Sequence, residues 1–562
     1  MPALGYEGHR VGPARHRLEA GAERTRTLGA VTEPEAFDVV VVGAGFAGLY
    51  ALHRARGAGL SVRVIEAGGG VGGTWYWNRY PGARCDVESM EYSYSFDEDL
   101  QQEWDWTERY AGQPEILRYI DHVADRFDLR RDIRFNTRVT AATFDEGTSR
   151  WSVETDAGEQ LDAQFLVMAT GCLSAAMVPV IEGADSFEGS TFHTGRWPHE
   201  GVDLTGKRVG VIGTGSSGIQ AIPVIAQQAA ELTVFQRTAP YTVPARNGPL
   251  DPAEAAATKA TYAELRQGNR EATAAFGSRV PRLDVGALEV SEAERAAEYE
   301  ARWERGGFTF LASFNDLFLD ADSNETAASF VRAKIGEAID DPTVAKRLMP
   351  AQVIGCKRLC LDTGYYETFN QAHVRLVDLS ETPIEAITPG GIRTTAAQHD
   401  LDVIVFATGF DAMTGALSRI DIRGRDGLAL CDAWAAGPRT YLGLGVAGFP
   451  NLFTVTGPGS PSVLTNMIVS IEHHVDWITD CIEHLRAHDL AVIEATTPAQ
   501  DEWVDFVNGV AYATLFPTCN SWYLGANVPG KPRVFMPLPG FPIYTEVCES
   551  VVADGYRGFT LS

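Results

Sequence analysis

The sequence predicts an α/β protein with two Rossmann-like dinucleotide-binding domains, the second carrying a helical insertion. Three observations lead there. A β-branched run enters Gly43, Gly45 and Gly48 in G-x-G-x-x-G spacing. The same plan recurs at Gly213, Gly215 and Gly218. A long Ala-, Glu- and Arg-rich stretch with helix-capping signals follows the second loop.

Taken in order, the first thirty-five residues interleave Arg10, Arg15, Arg17, Arg24 and Arg26 with Glu7, Glu19 and Glu23. They lack the apolar stretch of a signal peptide and are expected to form a flexible extension. Residues 37–42 read as a buried parallel strand, followed by the first glycine loop and a helix ending at Gly57. Residues 61–66 are the next strand, with Glu66 at its tip. Residues 209–212, the second loop, a helix from Ile219 and a strand over 232–237 repeat the plan. Asp251 and Pro252 suit an N-cap and first helical position, and Ser291 with Glu294 fits a capping box. Residues 403–409 read as a returning strand ending in Ala-Thr-Gly, echoing residues 165–171. These two sites mark the expected crossings between domains. The expected division is a 1–35 extension, a first dinucleotide-binding domain at 36–170 and 403–562, a second at 171–240 and 351–402, and a helical insertion at 241–350.

At 562 residues the chain is too long for one core. A net charge of −27 argues against nucleic acid and anionic membrane as partners, but not against a phosphate held by a few local cations. No eighteen-residue apolar window suggests a transmembrane helix. Eight cysteines without a C-x-x-C exclude a redox dithiol motif and paired zinc spacing. Reduced thiols in a cytoplasmic protein, monomeric or a weak homo-oligomer, are the expectation. Adjacent His473 and His474 point to different helix faces, so no metal site is expected.

Each glycine loop follows a strand and opens a helix, the setting in which free N–H groups and the helix dipole receive a pyrophosphate. Candidate residues are Gly43, Gly45, Ala47 and Gly48 in the first copy, and Gly213, Thr214, Gly215, Ser216, Ser217 and Gly218 in the second. The copies differ at the tip of the second strand. Glu66 can accept from ribose hydroxyls, which suits FAD or NAD. Arg237 and Thr238 offer a cation and a hydroxyl to a 2′-phosphate, which suits NADP.

Two further stretches carry a family resemblance. Phe187, Gly189, His193, Trp197 and Pro198 read F-x-G-x-x-x-H-x-x-x-W-P just before the second loop. Gly72, Gly73, Trp75, Tyr80, Pro81, Gly82 and Asp86 read G-G-x-W-x-x-x-x-Y-P-G-x-x-x-D. In this order the motifs resemble those of the type I Baeyer–Villiger monooxygenases, over nearly the whole chain from Phe37 onward. The resemblance implies FAD at the first loop and NADPH at the second. It implies that oxygen, activated as a C4a-peroxyflavin, is inserted beside a ketone carbonyl to give an ester or lactone. It assigns Gly73, Thr74, Trp75, Asp86, Tyr92, Val139 and Met467 to FAD, and Gln220, Lys357 and Trp522 to NADP. Arg358 resembles the catalytic arginine, with Asp86 orienting it. A guanidinium keeps its charge near neutral pH and can stabilise oxyanions, as a lysine would do less well. His193 resembles a hinge residue governing domain coupling rather than an acid or base. Residues 77–89 and 433–445 look like the steroid and phenylacetone branch, implying a bulky apolar ketone and O2 as substrates. Met536 to Pro542 departs from that branch in its prolines, which implies a different local loop shape there. The competing readings are an N- or S-oxygenating flavin monooxygenase and a non-catalytic flavin and NADP redox sensor.

Overall fold

A computed structural model describes residues 34–525, 536 and 540–562. The extension expected at the N-terminus lies outside them, apart from Pro34 and Glu35, the latter already beginning a strand. That strand, Glu35–Val42, is central in an eight-stranded sheet. It pairs in parallel with Val62–Ile65 on one side (Val42 opposite Ile65) and Gln160–Met168 on the other (Val42 opposite Met168). Val39, Val40 and Val41 are almost fully buried, as a parallel strand covered on both faces requires. Gln160–Met168 continues antiparallel into Arg150–Thr155 and Val139–Asp145, and it also receives the late strand Leu452–Thr454. Both ends of the sequence therefore build this sheet.

The second sheet is wholly parallel and has five strands in the order Val374–Asp378, Glu231–Gln236, Arg208–Ile212, Val403–Phe406, Ser190–His193. Strand Val403–Phe406 lies inside it, so the chain returns to the first sheet after Phe406. The division drawn at 402/403 splits this strand from its partners. A buried apolar run reads alike in either sheet, and only the pairing tells them apart.

Two cores follow the two sheets. Leu49, Val64, Phe165 and Ile468 pack in one, and Val211, Ile222, Val234, Leu359 and Val405 in the other. The helices Pro252–Ala260, Tyr262–Glu271, Glu292–Arg305, Ala321–Ala338 and Pro342–Leu348 fill the stretch read as an insertion. They bridge the cores, since Tyr262 joins the first and Val331 the second. Asp251 caps the first of them through the Ala253 and Glu254 N–H groups. Ser291 and Glu294 form the reciprocal capping box of the third. Among the described residues no helix is long and apolar enough to cross a membrane.

One sequence expectation is overturned. Cys356 and Cys519 are bonded, their Cα atoms 6.2 Å apart across 163 residues of sequence. The other six cysteines are free. Local spacing carries no signal for a pair brought together by tertiary folding.

Ser291→Ala removes the hydroxyl half of the capping box and leaves the Glu294 carboxylate on the residue-291 backbone N–H. It should cost about 1 kcal/mol locally, measured as faster amide exchange confined to Glu292–Arg305 at unchanged flavin content.

Candidate active site

Both glycine loops open into one continuous cavity of about 1420 Å3 between the sheets. This exceeds the ~300–1,000 Å3 of a typical single-ligand site. The two loops are built alike. Gly43 and Gly213 hold φ of +106° and +107°, and a Cβ on them would stand 2.6 Å from the Ala169 carbonyl oxygen and 2.5 Å from that of Ala407. The two Ala-Thr-Gly sites are thus the backbone against which the loops close. A Cβ on Gly48 or Gly218 would strike the carbonyl of Gly43 or Gly213, so these glycines let helix and strand pack closely. The middle glycine differs in kind: a Cβ on Gly215 meets nothing within 4 Å, and Gly45 faces only Gly73. Each faces the open cavity.

Helices Phe46–Gly57 and Ser216–Ala226 begin at Gly45 and Gly215 with no side-chain cap and no acidic residue in the first turn. Their leading N–H groups and dipoles remain available to an anion. The fit to two dinucleotides is therefore direct. Glu66 is buried, its Oε2 accepting the Ala44 N–H at 2.7 Å and its Oε1 the Gly68 N–H at 2.6 Å. Burial raises its pKa, and these two N–H donors oppose that. Its remaining lone pairs border the cavity, where ribose hydroxyls can donate to them. At the second loop Arg237 and Lys357 line the cavity, and among the described residues neither forms an ion pair. Burial first, and the Arg237 charge second, lower the pKa of Lys357. Two cations beside Thr238, neither ion-paired among the described residues, have the chemistry to receive a phosphate dianion.

Where the loops' territories meet, Arg358 Nε and Nη2 donate to Asp86 Oδ2 and Oδ1 at 2.6 and 2.7 Å. Its Nη1 donates to the Val463 carbonyl at 2.8 Å, and the guanidinium lies 5.0 Å from the Phe308 ring centroid. Burial opposes the charge, but Asp86 more than offsets it, and the Arg358 pKa stands well above its ordinary value. About a fifth of each side chain stays exposed, 21% and 22%, on the cavity wall. The Tyr523 phenol adds to the Asp86 carboxylate in favouring the charged guanidinium. Burial pushes the Tyr523 pKa up to about 12, so the phenol stays protonated near neutrality.

The remaining predicted residues divide by position. Ala47, Gly73, Thr74, Trp75, Tyr92, Val139 and Met467 line the cavity on the first loop's side and Thr214, Ser216 and Ser217 at the second loop, while Trp522 also lines it and packs against the first core. The Trp75 indole N–H donates to Tyr92 Oη at 3.3 Å. Met467 opens a 21-residue helix whose cap, Asn466, also donates to the Glu91 carbonyl. Gln220 borders the cavity, yet its amide is committed elsewhere. It accepts from Tyr80 Oη at 2.8 Å and donates to the Arg84 carbonyl at 3.1 Å. Gly82 lies so close to that helix that a Cβ would stand 2.3 Å from the Gln220 carbonyl oxygen. The Y-P-G-x-x-x-D segment therefore docks the first domain onto the second as well as carrying Asp86.

Within the linker Gly195 and Arg196 line the cavity, whereas Phe187, Gly189, His193 and Trp197 do not. His193 Nδ1 accepts the Gly195 N–H at 2.9 Å, which leaves the proton on Nε2, 3.2 Å from the Met177 carbonyl and 3.3 Å from Thr408 Oγ1. Burial lowers its pKa and keeps it neutral. It thus ties the segment leaving the first crossing to the threonine of the second. Trp197 is buried against Phe192, and Gly189 fits under the Asp402 carbonyl. His474 is committed to the Thr456 N–H and Tyr544 Oη. Of the proline-bearing stretch, Met536 is buried and residues 537–539 lie outside the described residues, as do 526–530 of the closing segment. Sequence reading missed Tyr523, Phe308 and the Val463 carbonyl around Arg358. Tyr523 is the immediate neighbour of the predicted Trp522, whereas Phe308 and Val463 left no local signal.

Comparisons with known proteins agree with this architecture. A family model described as pyridine nucleotide-disulphide oxidoreductase matches residues 40–286, the stretch holding both glycine loops. A Baeyer–Villiger monooxygenase of Pseudooceanicola batsensis is 44% identical over 95% of this chain and 97% of that protein. An acetone monooxygenase (methyl acetate-forming) of Gordonia sp. (strain TY-5) is 44% identical over 93% of this chain and 99% of its own length. A solved structure described as oxidized steroid monooxygenase bound to NADP is 56% identical with a TM-score of 0.90, over 94% of this chain and 99% of that one.

Gly215 has ordinary backbone angles, φ −77° and ψ −173°, and empty space at its Cβ. Gly215→Val should therefore fold and keep its flavin but raise the KM for NADPH by about tenfold or more; an unchanged KM would remove the loop from the nucleotide site. A lysine with a lowered pKa loses its charge as pH rises through that value. NADP+ binding should accordingly weaken with pH beginning below the ordinary lysine range, and Lys357→Ala should flatten the titration.

Proposed function

The chain belongs to the Baeyer–Villiger monooxygenases, NADPH-dependent flavoenzymes, and on that premise we propose that it oxygenates a bulky apolar ketone (steroid, aryl or large cyclic) to an ester or lactone. The observation carrying the mechanism is the paired Arg358 and Asp86 on the wall of a cavity that both dinucleotide loops open into. FAD, once reduced by NADPH, supplies the chemistry of dioxygen activation. Gly43, Gly45 and the first turn of Phe46–Gly57 receive its pyrophosphate, Glu66 its ribose, and Trp75 and Tyr92 wall its ring system. Gly213, Gly215 and Ser216 receive the NADP pyrophosphate, while Arg237 and Lys357 hold the 2′-phosphate.

Arg358 presents a permanent positive charge where negative charge develops on the oxygen being transferred and then on the former carbonyl oxygen. Asp86 positions that charge through two parallel hydrogen bonds, a geometry that a lysine cannot reproduce. Because Asp86 leaves the guanidinium protonated, no proton moves at Arg358. Its role is electrostatic and constant with pH. Support for a bulky substrate comes from the 56% identity to the steroid monooxygenase structure. The relative named for acetone sets the alternative, a small ketone.

The decisive experiment incubates the purified yellow protein with NADPH under air and a steroid, an aryl, a macrocyclic and a small cyclic ketone, with mass spectrometry of products. The proposal expects an ester or lactone one oxygen heavier, formed faster from the larger ketones. Arg358→Ala should retain NADPH-driven bleaching of the flavin yet form product about 10²–10³-fold more slowly, and Arg358→Lys should recover little of this. Product from the small ketone alone would overturn the bulky-substrate reading, and peroxide with every ketone would redirect the search to nitrogen or sulfur substrates.

A further inference from the structure

Lys357 and Arg358 sit on a short loop with an anchor on each side. On one side Cys360–Asp362 pairs as a strand with Thr242–Pro244. On the other, Cys356 is bonded to Cys519. Cys519 belongs to the C-terminal segment that brings Trp522 to the cavity and Tyr523 to Arg358. At its start that segment is also held where Leu515 donates its N–H to the Phe318 carbonyl at 2.9 Å and Phe516 stacks on Phe318 at 5.6 Å, and Phe516, Tyr523 and Leu524 pack into the first core. The sulfurs are shielded, Cys356 being 1% and Cys519 5% exposed. The bond therefore joins, four residues from Tyr523 and two from Arg358, the two strips of chain that close on the same guanidinium.

We propose that Cys356 and Cys519 form a redox-cleavable clasp that holds the Lys357–Arg358 loop against the Trp522–Tyr523 segment and so sets nucleotide affinity and retention of the activated oxygen. The inference rests on the roles given above to Lys357, Arg358 and Trp522. The oxidant is hydrogen peroxide, formed when oxygen reduction by NADPH finds no ketone. One thiolate displaces hydroxide from the O–O bond to give a sulfenic acid, and the second thiol displaces water from that sulfur as the S–S bond forms. Two thiols and one peroxide thus yield one disulfide and two waters. A dithiol or phosphine reductant reverses the step. Leakage of peroxide would then tighten the site that leaks it.

The test uses the FAD holoenzyme. Thiol counting after denaturation should give six per chain as oxidised by peroxide and eight after native incubation with a phosphine, with a linked peptide pair containing Cys356 and Cys519 only in the former. Reduction should weaken NADP+ binding, read from the flavin spectrum, and raise peroxide release without ketone, each by about threefold or more. Peroxide should restore both in the wild type but not in Cys356→Ser or Cys519→Ser. Should either variant fail to fold, the reduced wild type carries the comparison. Eight thiols after peroxide treatment, or six that persist under reductant, overturn the clasp. So does a change from six to eight that leaves affinity and leakage unmoved. None of these readouts needs a ketone product, so an absent ester would count against the proposed function alone.

Discussion

The ion pair between Asp86 and Arg358 is the constraint on which the rest of the molecule turns. Its partners lie 272 residues apart, one in the loop after the first dinucleotide unit and one beside the second. A guanidinium this deep is tolerable only with a carboxylate at bidentate distance, because a buried unpaired charge costs several kcal/mol. The pair therefore stands only when the two domains are closed on each other. Tyr80, Gly82 and Gln220 supply that closure a few residues away, through one hydrogen bond to the amide and one backbone approach that any side chain at Gly82 would block.

The two nucleotide loops meet the same demand twice. Each needs a strand, a tight turn at positive φ, an open middle glycine and a helix that starts without a cap, and each closes on an Ala-Thr-Gly segment. The same segments are where the chain changes sheets. Loop closure and domain connection thus share backbone, and His193, bridging from one crossing to Thr408 at the other, is placed to feel both. A chain with net charge −27 still receives polyanions here, because no acidic residue stands in either first turn and Arg237 and Lys357 face the second site without carboxylate partners among the described residues. Local field, at a Debye length of about 8 Å in physiological salt, outweighs global charge.

Local signals determined much of this in advance. Glycine spacing, β-branched strands and capping pairs act over a few residues, so the two dinucleotide units, the helices after Asp251 and Ser291 and the Glu66 and Arg237 contrast could be read directly. Asp86 and Arg358 became legible through motif resemblance, and the structure brings them together. Tertiary structure alone decided the rest: Gln220 committed to Tyr80, strand Val403–Phe406 in the second sheet, Tyr523, Phe308 and Val463 around the guanidinium, and Cys356 joined to Cys519. Each of these is a contact between distant segments, and each depends on how two separately coded sheets pack rather than on any run of neighbouring residues. A sequence records the preferences of its segments, whereas the partner that satisfies a buried charge, amide or thiol is chosen only when the segments meet.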